Sequence, residues 1–152
     1  MSISGFCKEF RKTFVLHAVA AHFNNGLLPS ALLFLMLTLL TGDAYFEHTV
    51  MHLALIAICM LPVSFISGIR DWRTKYNAAR APIFYRKIWL AGILFLLVAA
   101  AVGLRLANPL LLVTGGVCRL LYIGCLSAAL PLVVLLGHYG GKLAYQWNNI
   151  QR

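Results

Sequence analysis

Acidic residues are nearly missing from this sequence. Glu9, Asp43, Glu47 and Asp71 are the only four, against 13 lysines and arginines. Charged residues of both signs reach 11% of 152 positions, less than half the share usual in a soluble domain. That poverty of charge excludes a separate water-soluble domain. Catalytic patterns are lacking too: there is no Ser-His-Asp set, Gly-rich phosphate loop or metal-protease motif, so hydrolase and nucleotide chemistry have no residues to stand on. The four cysteines, Cys7, Cys59, Cys118 and Cys125, show no CxxC spacing. Cys118 and Cys125 would share a helix face about two turns apart, too far to bridge, and all four are expected as buried free thiols. No internal repeat or low-complexity tract is present.

What is abundant is apolar sequence, 61% of the chain. A membrane-spanning helix needs about 20 mostly apolar residues. Four runs qualify, roughly 14–40, 45–69, 88–106 and 120–145. The first follows Lys8, Arg11 and Lys12 as a signal peptide would, but it is too long for an h-region and no small-residue cleavage site follows. Pro29, Pro62 and Pro131 are compatible with spanning helices, whose neighbours re-satisfy the freed carbonyls. The expected fold is all-α: residues 1–152 as one integral membrane domain, a four-helix up-down transmembrane bundle.

The net charge of +9 raises the question of nucleic acid, and its placement answers against it. Most basic residues sit in short segments between apolar runs. "RDWRTKYNAARAPIFYRK" carries Arg70, Arg73, Lys75, Arg80, Arg86 and Lys87, whereas "TGDAYFEH" carries Asp43 and Glu47 and no Lys or Arg. The positive-inside rule then puts the first linker and both termini on the cytoplasmic side of an inner membrane. Arg105 and Arg119, at the short third linker, run against the trend but are outnumbered. Trp72, Trp89, Trp147, Tyr76 and Tyr145 fall at expected helix ends, as interfacial aromatics do. The basic linker would also attract anionic lipid.

Five histidines fall inside or at the edge of these runs. Intramembrane ionisable groups are costly and usually face a partner. Neutral imidazole ligates iron, and facing helices of a bundle commonly hold cofactors. His22 early in the first span and His138 late in the fourth fall at one depth on this topology, so they form the favoured axial pair for a haem b. His17 is the substitute ligand. It lies five residues from His22, about 140° around the helix, so the two cannot face one iron. His48 and His52 share a face at the opposite end of the second span. They are alternative metal ligands for a second haem, with Met36 and Met51 as weak sixth ligands. Gly137, Gly140 and Gly141 strip bulk from beside His138, which suits a flat macrocycle or simply a close helix neighbour. Asn24 and Asn25 suit a bond to a neighbouring helix or a propionate. Asp71 beside Arg70 and Arg73 reads as a solvated surface pair.

The motifs "HAVAAHFN" (His17 to Asn24), "GIRDW" (Gly68 to Trp72) and "GHYGGKLAY" (Gly137 to Tyr145) resemble a family of small predicted membrane proteins, a domain of unknown function with the pattern HPxxVHFP, GxxDW and GxxGGxLxY. Their order and spacing match along nearly the whole chain. The resemblance implies a four-helix membrane fold and a similarity to four-helix b-type cytochromes. Ala18 and Asn24 stand where that family has prolines, and "YRKIWLAG" replaces a histidine often found in its third helix.

The sequence thus predicts a small membrane b-type cytochrome, an electron carrier rather than a catalyst, since two strong axial ligands leave no open iron site. Electrons would pass between a quinol or other redox partner and a second redox protein. Membrane lipid, the quinone pool, further subunits or a second copy are the expected partners, and quinone is a second candidate cofactor. The rivals are a non-haem structural subunit of a membrane complex and, ranked last, a proton-linked transporter or channel.

Overall fold

A computed structural model describes residues 16–150, without the side chains of residues 144 and 146–150. Phe14 and Val15 of the first expected span, together with Cys7, Lys8, Arg11, Lys12, the Trp147 side chain and Arg152, lie outside the described residues. The described chain is helical from end to end: α1 Leu16–Thr41, α2 Ala44–Lys75, α3 Pro82–Ala107, the one-turn α4 Leu111–Thr114, and α5 Gly116–Ile150. Four of these helices are long and apolar enough to cross a membrane. The chain is a multi-pass membrane protein built as a four-helix bundle.

The bundle closes as a ring. α1 packs on α2 and α5, and α3 packs on α2 and α5. The connections enforce antiparallel neighbours. Two residues, Gly42 and Asp43, join α1 to α2. Gly42 takes φ 72°, where a side chain would be strained, and Asp43 caps α2 by accepting the Tyr45 N–H at 2.8 Å. The interior holds two packed apolar layers. One is built around Leu28, Leu61, Leu94 and Val133, the other around Leu35, Val50, Leu111 and Tyr122. Small residues (Ala31, Ala54, Ala57, Ala101, Ala129) line the helix seams. In lipid, where water does not drive helices together, such residues allow the close approach that dispersion requires.

The helices overrun the ends that hydropathy suggests, most at the basic linker. α2 continues to Lys75 and α3 starts at Pro82, with proline in the first helical turn. Arg70, Arg73, Lys75, Arg86 and Lys87 therefore sit on helices, and the true linker is residues 76–81. Aromatic packing closes it. Trp72 and Tyr76 stack on Phe84 at centroid distances of 5.9 and 5.3 Å, and Trp72 Nε1 donates to the Ala79 carbonyl at 3.0 Å. Burial raises the Tyr76 hydroxyl above the ordinary phenol pKa, keeping it neutral.

The cysteine expectation is corrected. Cys59 and Cys118 are free but exposed on the outside of the bundle, and Cys125 is half-buried. An outward face in lipid is as apolar as a core, so a thiol needs no burial to be accommodated there.

Candidate functional site

Polar side chains enter the bundle at its two ends. At the basic end, His17 is half-buried against α2, and its Nδ1 lies 2.8 Å from the Ser64 carbonyl. A carbonyl only accepts, so Nδ1 carries the proton and the neutral ring leaves Nε2 bare. Gly68, the glycine of "GIRDW", makes room for this ring. A Cβ there would stand 2.9 Å from His17 Cε1, inside contact distance. Asn24 lies two turns further along the same face of α1, buried, with Oδ1 lacking a hydrogen-bond partner among the described residues. Asp71 pairs with Lys75 at 3.0 Å, one turn on, rather than with Arg70 or Arg73.

The second motif pair meets between α1 and α5. The Asn25 amide faces Gly137, where a Cβ would lie 3.6 Å away. This contact fixes the helix register and locates the two favoured histidines. His22 is three residues from Asn25, about 60° around α1, and His138 is one residue from Gly137, about 100° around α5. Because the helices are antiparallel, both rotations lead to the same side of the seam. That side is the outer one, for both histidines are exposed while Asn24, on the other side of α1, is buried. Both also lie toward the basic end from the Asn25–Gly137 level, by about 4.5 and 1.5 Å. His22 and His138 thus lie on the surface of the bundle, on one side of the α1–α5 seam, with His22 about 3 Å nearer the basic end.

His22 Nδ1 donates to the Ala18 carbonyl of its own helix at 2.7 Å. Gly141, one turn from Gly137, has nothing within 4 Å of a would-be Cβ. Gly140 points elsewhere, toward Lys87 of α3. His138 packs edge-on against Tyr139 at 5.7 Å. The hollow beside His22 is lined by α1 alone, through Phe23, Gly26, Leu27 and Ser30, and is open. His48 and His52 are both exposed on α2, so neither lines an interior path. Met36 is exposed and Met51 half-buried. No group of three or more His, Cys, Asp or Glu side chains able to hold a metal ion occurs among the described residues. A haem needs only two axial ligands, and the donor chemistry of His22 and His138 fits that demand.

The opposite end holds what hydropathy reasoning missed. Glu47 of α2 and Arg105 of α3 form an ion pair inside the bundle, with side-chain exposures of 8% and 10%. Tyr122 of α5 is 1% exposed, close enough to feel both charges, and its hydroxyl has no hydrogen-bond partner among the described residues. Thr38 of α1 is buried at the same end and returns its hydroxyl to the Phe34 carbonyl. Each of the four long helices thus contributes one polar residue. By sequence, Glu47 and Arg105 fall at the ends of the expected spans, where they count only toward topology. A usable signal was present: each lies within its helix, at a spacing that shares the face of buried neighbours Val50 and Val102. No family model, curated protein or solved structure matches this chain, so its own side chains carry the functional reading.

Proposed function

We propose that the protein is a small membrane b-type cytochrome that carries electrons, with a haem b seated in the outer groove between α1 and α5 and held by His22 and His138. What supports this reading is placement: His22 and His138 are exposed on adjacent helices, on one side of the α1–α5 seam, within spans of membrane-crossing length. An imidazole exposed to hydrocarbon is costly unless something covers it. The Ala18 carbonyl lies against His22 Nδ1, the kind of bond that orients metal-bound histidines. Gly137 adds no side chain where it faces the Asn25 amide. Bound there, haem would supply one-electron chemistry. The protein's part would be to supply two strong ligands, exclude a third and set the potential through the apolar surroundings.

On this reading the chain lies in a cytoplasmic membrane with both termini inside, and a quinol or redox protein exchanges electrons at the exposed edge. The test is spectroscopic. Purified with haem supplied during expression, the wild-type protein should be red with a low-spin bis-histidine spectrum. His22→Ala and His138→Ala should each abolish that spectrum, and His17→Ala should keep it. A colourless wild-type protein ends the cytochrome reading, and a low-spin haem surviving both single substitutions ends the ligand assignment.

The open, one-helix-wide hollow beside His22 favours one alternative, a non-haem subunit whose α1–α5 face docks on another membrane protein. In that case the protein stays colourless and co-purifies with a partner that His22→Ala releases.

A further inference from the structure

The basic end carries cations without counter-ions. The ion pairs among the described residues are Lys75–Asp71 and Arg105–Glu47. Arg86, Lys87 and Lys142 have no acidic partner there. Arg86 lines one feature, a cleft between α3 and α5. Tyr85, Arg86, Trp89 and Leu90 form one wall, and Leu135 and Tyr139 the other. Lys142 follows Tyr139 by three residues and shares its face of α5. Lys87 is half-buried and crosses to α5, its Nζ 3.8 Å from where a Cβ on Gly140 would stand. The absence of that side chain gives the ammonium its place.

The cleft is graded along the bundle axis. Cations and the Tyr85 and Tyr139 hydroxyls mark its outer end. Trp89, 73% exposed, stands about one turn deeper. Leu90 and Leu135 continue into the apolar span. No acidic group among the described residues offsets this charge, which leaves it open to an anion from outside. A soluble anion would need no apolar tail to the cleft, and a protein partner would need no membrane depth.

We propose that the α3–α5 cleft is a binding site for an anionic phospholipid. Arg86 and Lys142 receive the phosphodiester, Trp89 and Tyr139 flank the glycerol region, and an acyl chain lies along Leu90 and Leu135. Basic pockets between spanning helices commonly hold such headgroups. The site is on the α3–α5 side, separate from the α1–α5 groove, and does not depend on haem being bound.

The experiment compares phosphatidylglycerol with phosphatidylcholine on the full chain in detergent micelles, read by native mass spectrometry. Phosphatidylglycerol should remain bound where phosphatidylcholine is lost. R86Q/K142Q should weaken its binding about tenfold or more. R70Q/R73Q removes the same charge from α2 and should leave binding near wild type. A W72F/W147F variant keeps Trp89 as the sole tryptophan and reports chain position. Phosphatidylglycerol with brominated acyl chains should quench it more strongly than the choline lipid at equal concentration, and R86Q/K142Q should cancel the difference. Equal retention of the two lipids overturns the site. So does an equal loss from R70Q/R73Q, which would mean diffuse charge attraction, or a Trp89 emission indifferent to headgroup.

Discussion

At the scale of single residues, the strongest commitments are two contacts that cross between helices. The Glu47–Arg105 pair is buried, and removing one member of such a pair leaves an uncompensated charge in a low-dielectric interior. Glu47→Ala and Arg105→Ala should each destabilise the protein by about 3–5 kcal/mol. Replacing both, as in E47L/R105M, should recover most of that loss, because an apolar pair of similar volume has no charge to desolvate. Denaturation in mixed micelles checks this, and single variants as stable as wild type would contradict the burial. Tyr122→Phe, beside the pair, removes a buried hydroxyl that has no hydrogen-bond partner among the described residues. It should leave stability unchanged or raise it by up to about 1 kcal/mol; a clear loss would reveal a bonded hydroxyl. At the other end, Gly68→Ala forces its methyl to 2.9 Å from the His17 ring and should cost about 1–3 kcal/mol. The double variant H17A/G68A should cost less than the sum of the two single changes, since the methyl then meets empty space.

At the scale of elements, the basic linker is the place where local geometry departs from what its residues prefer. Asn77 and Ala78 both take positive φ, 49° and 52°. Asparagine tolerates this conformation, whereas alanine does so at a cost of about 1–2 kcal/mol. Tertiary contacts hold it there: the Ala78 N–H donates to the Trp72 carbonyl at 3.1 Å, and the Trp72 indole donates to Ala79. Ala78→Gly should relieve the strain and raise stability by about 0.5–1 kcal/mol after the entropy of the added glycine is counted. A lowered midpoint in the same denaturation assay would show that the methyl packs rather than strains. Hydropathy alone read this region as an 18-residue loop because arginines and lysines break the apolar signal. Helices nonetheless continue through them, because the long side chains reach water while their backbones stay hydrogen-bonded.

At the scale of the whole molecule, the ring of four antiparallel spans predicts sidedness. Reporter fusions at Asn77 and at Arg152 should give the same result, and a fusion at Asp43 the opposite one. If the basic end is cytoplasmic, as the positive-inside rule expects, a reporter active only outside will be silent at Asn77 and active at Asp43. Activity at Asn77 would invert the orientation, and the α1–α5 groove and the lipid cleft would change leaflets together, because both lie at the basic end.

Composition and run length by themselves determine the class of this protein. Sixty-one per cent apolar residues in four runs of spanning length leave a helical membrane bundle as the only way to satisfy every backbone group in lipid. The depths of His22 and His138 were likewise readable, because rise per residue is fixed and alternate spans run in opposite directions. Azimuth was not readable. In a soluble protein an amphipathic stripe tells which face turns inward, but here lipid and core are equally apolar and the helix faces differ little in hydrophobicity. Only packing decided that His17 and Asn24 turn into the bundle while His22 and His138 turn to its surface. Packing also decided that Glu47 and Arg105, two charges at span ends, meet inside it. Their pairing joins residues 58 positions apart, and no local pattern encodes a Coulomb contact between helices that come together only when the ring closes.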